Sequence, residues 1–346
     1  MPNIRWSLKM TLACSTVAIL VGLPACSAAQ SAQPAASAST AAASQEARPR
    51  LTIEELRKLY ADEESRYMEI GGVEVHYKDE GSGPVLFMVH GSVSSTRTWD
   101  RITEILKPDY RIIRFDIPGY GLSGRVSDEA AANVQPVEIA EQLAERLGVK
   151  KLTFVGVSSG GTMGMYLAAK RPDLVERLII SNTPSDPVDT SHLVMPESFV
   201  SATKKSRETG YSDMSFWNEY LSFFAGDPDR ISEQTRKEYY DFNRRTAEKH
   251  PIALVARIGD GVQAKIEMQK ITAPTFLIWG GADPLLPESA ADAITGYLGS
   301  AQISRVIMPD VGHYPPLESP DRFAQLIAAY VEAGVISDDD PETAKP

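Results

Sequence analysis

The stretch Lys151–Gly161, KLTFVGVSSGG, constrains this chain more than any other. Leu152, Phe154 and Val155 mark a short buried strand, and the residues from about Gly160 to Lys170 carry the pattern of a helix. Between them lie Gly156, Val157, Ser158, Ser159 and Gly160, which fit G-x-S-x-G. Such a turn holds its serine at a strained strand-to-helix corner, with the hydroxyl clear of the sheet edge. Small residues two before and two after are a steric demand, because a side chain there would strike the neighbouring strand or helix. That demand selects Ser158, which has glycine on both sides, over Ser159, which would have Val157 at the first position. Ser158 is the candidate nucleophile. The backbone N–H of Ser159, at the helix N-terminus, is a candidate oxyanion donor. Glycine and serine also cluster in ordinary turns, so the reading depends on finding a base, an acid and a second donor.

The whole chain sets outer limits. Its 346 residues allow one large or two medium domains with a substantial core. A formal net charge of −11, without a basic patch interleaved with aromatics, argues against nucleic acid as a partner. Both cysteines, Cys14 and Cys26, fall in the first thirty residues, so the body holds neither a disulfide framework nor a cysteine metal site.

Residues 1–25 read as an export signal. Arg5 and Lys9 make a basic start, and Thr11 to Leu23 form an apolar run too short for a membrane span, which needs about 20 residues. The run ends in Leu23-Pro24-Ala25-Cys26-Ser27, which resembles the bacterial lipoprotein box, where cleavage precedes a lipid-bearing cysteine. That resemblance implies lipidation at Cys26, with Ser27 beside it favouring outer-membrane retention. Pro24 departs from the box, and a cut near Ser27-Ala28-Ala29 by an ordinary signal peptidase is the alternative; the mature protein is then secreted or soluble in the periplasm. Residues 26–50 are mostly Ala, Ser, Gln, Thr and Pro, the composition of a flexible tether. The helix-like Thr52–Tyr60 packs on the domain or continues the tether.

From Tyr67 onward strands and helices alternate, the mark of an α/β fold with a largely parallel sheet. A hairpin turns at Gly71-Gly72, and strands are expected at Val85–Val89, Arg111–Phe115, Val175–Ile180, Thr275–Trp279 and Ile303–Ile307. Helices are expected at Val137–Leu147 and about Pro320–Ala333. Roughly ninety residues separate the strands ending at Ile180 and starting at Thr275, far beyond an ordinary crossover. This aromatic-rich insert reads as a helical cap over the C-terminal edge of the sheet. The organisation is therefore a core of 51–183, a cap of 184–268, a second core part of 269–336 and an acidic disordered tail of 337–346. Most cap aromatics pack the cap itself. A few face a pocket, and Trp217, Phe223 and Phe224 are the candidates.

A serine hydroxyl needs a base, and the base an orienting acid. Of five histidines, His76 sits in the hairpin, and His192 and His250 lie in the cap. His90 ends a strand and reads, by analogy with similar loops, as structural. His313 alone follows the elbow on a loop past a strand's C-terminal end, so it is the candidate base. Asp283, in Trp279-Gly280-Gly281-Ala282-Asp283-Pro284, is the candidate acid, with Asp186 as the alternative position.

With those residues in place, the chain resembles the α/β-hydrolase-fold superfamily of the capped serine esterase type. The likeness runs from about Tyr67 to Gly334 and includes the order Ser158, Asp283, His313. It implies a mostly parallel central sheet flanked by helices, with an inserted helical cap. It assigns the second oxyanion donor to the backbone N–H of Ser92, after His90-Gly91, and gives Asp116-x-Pro118-Gly119-x-Gly121-x-Ser123 a loop-shaping role. The implied activity is hydrolysis of a small carboxylic ester through an acyl-enzyme, with no metal or cofactor. The expected partner is a small molecule with a carbonyl centre; the only membrane link is the lipid at Cys26. Lactonase, carbon–carbon bond hydrolase, amidase or aminopeptidase and perhydrolase reactions use the same triad. Dehalogenases and epoxide hydrolases of similar fold use a carboxylate nucleophile, which position 158 lacks. A non-catalytic surface-binding lipoprotein is the reading from a different class.

Overall fold

The computed structural model describes residues 50–246, 254, 261–299 and 301–333. The segments read as signal peptide, most of the tether and the acidic tail lie outside the described residues. Eight strands form one sheet in the order β1-β2-β4-β3-β5-β6-β7-β8. They are β1 Arg66–Ile70, β2 Val73–Gly81, β3 Val85–Val89, β4 Arg111–Phe115, β5 Leu152–Val157, β6 Val175–Ser181, β7 Thr275–Gly280 and β8 Ile303–Met308. β1 and β2 form the hairpin at Gly71-Gly72, and β2 also runs antiparallel to β4; every other pairing is parallel.

Among the described residues the α-helices are α1 Ile53–Tyr60, α2 Asp100–Leu106, α3 Asp128–Asn133, α4 Pro136–Arg146, α5 Ser159–Lys170, α6 Glu197–Thr209, α7 Met214–Phe224, α8 Glu233–Asn243, α9 Gly261–Met268, α10 Glu288–Tyr297, α11 Pro315–Glu318 and α12 Pro320–Ala333. The two middle strands, β3 and β5, are almost wholly apolar, with Thr153 the one polar residue, because helices cover both faces of a parallel sheet. Alternate side chains divide between the faces. Phe87, Val89, Phe154 and Leu178 meet Ile139, Leu143 and Met163 from α4 and α5 on one side. Leu86, Met88, Val155 and Ile179 meet Ile102 and Leu106 of α2 and Phe323 and Ile327 of α12 on the other.

The segment before β1 belongs to the folded body. Thr52 caps α1 through a capping box with Glu55. Leu56, fully buried, packs with Leu122 and Phe242, and Arg57 bridges Glu74 at 2.7 Å. Leu51 also exchanges backbone hydrogen bonds with Arg244 and Thr246.

Between β6 and β7 the chain builds α6 to α9. α6 ends at Gly210 in the left-handed conformation, and α7 starts from Asp213, which accepts the N–H of Phe216 at 3.1 Å. Phe199, Phe216, Trp217, Leu221 and Phe224 give these helices a hydrophobic cluster of their own, joined by Tyr239 and Tyr314.

One loop stands out for the charge it buries. Asp116, fully buried after β4, accepts from the N–H of Thr96 at 2.6 Å through Oδ1 and of Leu122 at 2.7 Å through Oδ2. His76 Nδ1 meets the same Oδ2 at 2.7 Å, and Ser123 Oγ donates to the Asp116 carbonyl at 2.7 Å. Gly121 is required because a Cβ there would land on the Asp116 carboxyl. Burial opposes the charge, but His76 and the Leu122 N–H, both bonded to the carboxylate, outweigh it and hold the carboxyl at about 2. The motif thus has the structural role the resemblance implied. Its contribution to stability is present above the ordinary carboxylate range and is lost as pH falls toward 2. Asp116→Asn places an amide against backbone donors, and the expected loss, read by urea unfolding, is about 3 kcal/mol.

Candidate active site

β5 passes directly into α5, and the corner is Ser158, with φ 54° and ψ −127°. A Cβ on Gly156 would sit 2.6 Å from the Gly160 carbonyl carbon, and one on Gly160 would sit 2.5 Å from the carbonyl oxygen of His90. The two glycines are therefore what lets strand, elbow and helix pack this closely. Ser158 rather than Ser159 occupies the corner, as the spacing of the glycines requires. Ser159 opens α5, so its N–H is one of the first-turn donors that no helical carbonyl can accept.

Asp283 and His313 meet as an ordered pair. His313 Nδ1 lies 2.7 Å from Asp283 Oδ2, and both side chains are at least 95% buried. Asp283 Oδ1 accepts the N–H of Leu285 at 2.8 Å, and Oδ2 also accepts from Asn182 Nδ2 at 2.8 Å. The carboxylate is therefore fixed in orientation by three donors. Asp186, the alternative acid, stands elsewhere, accepting from Ser185 Oγ at 3.0 Å.

Asn182 is a site residue that the sequence reading missed. It follows β6 with φ 42° and is fully buried. Its Oδ1 accepts the N–H of Gly280 at 2.9 Å while its Nδ2 reaches Asp283, so it clasps the β7 end to the acid. The available signal was an asparagine at a strand end, a residue type that tolerates positive φ. Glu318 was missed as well. Its buried carboxylate accepts backbone N–H groups of Gly226 and Asp227 from the insert and of Gly312 beside His313. His313 N in turn donates to the Phe224 carbonyl at 2.8 Å. The base loop and the insert are thereby tied to each other.

The three non-glycine residues with positive φ among the described residues are Val93, Ser158 and Asn182. All three lie at this site. A β-branched valine in that conformation is a strained position. The Val93 carbonyl is held by Asn243 Nδ2 at 2.7 Å. Ser92, just before it, donates from Oγ to Ser159 Oγ at 3.0 Å, which brings the two candidate donor residues side by side.

Ser158, Ser92 and His313 line one cavity of about 440 Å³, including the space open at its mouth. None of the three rings expected at the pocket lines it, and that expectation is corrected. Trp217 and Phe224 are 1% exposed inside the insert's cluster, and Phe223 packs on Phe199 and Phe224 with ring centroids 5.2 and 4.9 Å away. The wall is formed by Tyr220, Tyr239 and Tyr314 instead. The most apolar rings fill the insert's core, while tyrosines, with one polar end, occupy its boundary with the cavity.

The other histidines stay out of this arrangement. His90 is fully buried, with Nδ1 2.6 Å from the Gly91 carbonyl and Nε2 accepting the N–H of Ile117 at 2.9 Å. Burial pushes its pKa down, and the bonding pattern fits a neutral ring that braces the loop. His76 serves Asp116. His192 lies 2.9 Å from the Pro284 carbonyl, and His250 lies outside the described residues.

An eight-stranded, mostly parallel sheet with a serine elbow and a buried Asp–His pair at its strand ends defines an α/β hydrolase. The family model for the alpha/beta hydrolase fold matches residues 84–320, and the chain belongs to that family. The chain is similar to haloalkane dehalogenase 2 of Mycobacterium tuberculosis, 27% identical over 278 residues, 76% of this chain and 93% of that protein. It is also 27% identical over 264 residues to the pimeloyl-[acyl-carrier protein] methyl ester esterase of Nitrosomonas europaea, 74% of this chain and 98% of that protein. Among solved structures, a putative lipase from Acinetobacter baumannii superposes with a TM-score of 0.64 at 21% identity, covering 81% of this chain and 94% of that one. That last likeness speaks for the fold.

Proposed function

We propose that this α/β hydrolase is a serine esterase that cleaves a small carboxylic ester through an acyl-enzyme. The observation that carries the reading is the buried His313–Asp283 pair, 2.7 Å apart, opening on the same cavity as the strained Ser158. Serine at position 158 separates this reading from the carboxylate-nucleophile chemistry of similarly folded dehalogenases. The methyl ester esterase among the relatives supports ester over other acyl bonds.

In this mechanism Ser158 Oγ attacks the carbonyl carbon while His313 Nε2 takes its proton. Asp283 fixes the imidazole with Nδ1–H facing its carboxylate and stabilises the imidazolium that forms. The backbone N–H groups of Ser92 and Ser159 receive the developing oxyanion, each contributing about 3 kcal/mol. Collapse breaks the ester C–O bond, and the leaving alkoxide takes the proton from His313. Water then attacks the acyl-enzyme with His313 again as base, releasing the acid and restoring Ser158. The helices α6 to α9 act as the cap that closes the cavity with Tyr220 and Tyr239.

For residues 1–49 we propose the export reading: cleavage before Cys26, a lipid on that cysteine, and a tether that places the enzyme in the periplasm or on the outer membrane. The basic start, the short apolar run and the core-poor composition of 26–50 support it.

The test is a p-nitrophenyl ester chain-length series with the domain from Leu51. Saturable turnover with a maximum at short acyl chains is expected. Absence of turnover on every ester, in protein whose serine still reacts with a phosphonate, would move the substrate to a lactone, an amide or a carbon–carbon bond.

A further inference from the structure

The cavity beside Ser158 carries hydroxyl groups that hydrolysis does not use. Ser94 and Thr98 come from the segment after β3, Tyr220 from α7, Tyr239 from α8, and Tyr314 follows His313. Ser94 Oγ and Thr98 Oγ1 satisfy each other at 2.5 Å. Tyr239 and Tyr314 are 5% and 7% exposed, and their rings meet edge to face with centroids 6.2 Å apart. The Tyr239 hydroxyl leans toward Ser94 and that of Tyr314 toward Tyr220, yet neither completes a hydrogen bond of regular geometry among the described residues. Burial raises both phenols above their ordinary value, so each keeps its proton and offers an O–H donor as well as acceptor lone pairs.

Buried polar groups in folded proteins are nearly always bonded, and the exceptions call for an explanation. Two phenols left incomplete on one cavity wall, beside the candidate nucleophile, are such an exception. The same wall has no Lys or Arg among the described residues. Arg97, which lines the neighbouring pocket that shares Ser94 and Thr98, is already matched by Glu238 at 2.7 Å. A carboxylate or phosphate would enter without a counter-charge, which disfavours it. Leu285, Val157 and Pro316 supply the apolar remainder, and the enclosed space is small, which limits what it can take to a short chain.

We propose that the substrate portion lodged in this cavity is a short chain bearing a neutral oxygen group (hydroxyl, oxo or ring ether), bound by the hydroxyls of Tyr239 and Tyr314. The enzyme thereby prefers an oxygenated short-chain ester to a plain alkyl ester. The inference rests on the esterase reading and names its substrate class. Tyr239 and Tyr314 are then specificity residues, because a site built to bond a substrate hydroxyl discriminates against the analogue that lacks it.

The experiment pairs two esters of matched shape, p-nitrophenyl 3-hydroxybutanoate and p-nitrophenyl 3-methylbutanoate, each rate divided by its alkaline hydrolysis rate. In the wild-type chain the hydroxylated ester is expected to lead in kcat/KM by about tenfold or more. In Tyr239→Phe and Tyr314→Phe that ratio falls toward one. Thermal midpoints of both variants are expected to hold, since neither lost hydroxyl completes a hydrogen bond of regular geometry among the described residues. A wild-type ratio near one, a ratio unchanged in both variants, or a clear drop in midpoint would overturn the proposal.

Binding separates this proposal from the reading beneath it. The corresponding amides, 3-hydroxybutanamide and 3-methylbutanamide, are titrated calorimetrically into Ser158→Ala. Tighter binding of the hydroxylated amide upholds the cavity assignment even where no ester is turned over, in which case the esterase reading alone falls. Equal affinity, with the alkyl ester turned over normally by the wild type, overturns the cavity assignment and leaves the esterase intact.

Discussion

Ser158→Ala is expected to lower ester turnover by at least about 10⁴-fold, because removing the nucleophile of a triad eliminates the covalent route and leaves only binding and oxyanion stabilisation. The same substitution should leave the fold intact. Ser158 sits at φ 54° as the N-cap of α5 without a side-chain capping bond, so alanine removes no hydrogen bond from the helix start. A thermal midpoint equal to or above that of the wild type is the second half of the expectation, read by scanning calorimetry. Alanine keeps the Cβ and with it the positive-φ strain of this corner, so the substitution adds no backbone strain.

The second large effect belongs to Asp283. Its two oxygens serve three donors: Leu285 N on Oδ1, and His313 Nδ1 with Asn182 Nδ2 on Oδ2. Asparagine keeps one acceptor oxygen, so in Asp283→Asn an amide N–H must face either the Leu285 donor or the His313–Asn182 pair. If the amide faces His313, the imidazole turns to the tautomer with its proton on Nε2, where it cannot accept the proton of Ser158. Either way the imidazolium loses its counter-charge. The expected fall in kcat is about 10⁴-fold, with KM changed far less. Steady-state kinetics on one short-chain ester checks both numbers. A loss below tenfold would assign the acid to another carboxylate.

What the sequence made legible and what it did not divides along range in the chain. The elbow is a local object: Gly156, Ser158 and Gly160 lie within five residues, and the spacing alone marks the corner, although only Gly156 answers a clash with the helix that follows while Gly160 makes room for the end of β3. The sheet was legible for the same reason, since short apolar runs separated by helical periods repeat along the chain. Asp283 and His313 were placed by their loops after β7 and β8, a topological regularity of parallel sheets. Asn182 and Glu318 act through groups about a hundred residues away: Asn182 Nδ2 reaches Asp283 and the Gly280 carbonyl, and Glu318 receives Gly226 and Asp227. Nothing local marks either residue as part of a site.

The pocket shows the same limit from the other side. Ring content identified the insert as aromatic, but Trp217, Phe223 and Phe224 share a short helix with Tyr220, and spacing alone cannot say which face meets the cavity. Packing decided it. The fully apolar rings gather around Phe199, and the tyrosines, whose hydroxyls resist that interior, form the wall beside Ser158.

The central claim is that Ser158 is a nucleophile activated by His313, and covalent trapping tests it most directly. The protein is incubated with a p-nitrophenyl alkylphosphonate, digested and mapped by mass spectrometry. One phosphonyl adduct per chain on the peptide carrying Ser158, forming in step with p-nitrophenol release and abolished in His313→Ala, is the predicted result. An adduct on another residue, or ester turnover by protein that acquires no adduct at all, would contradict it.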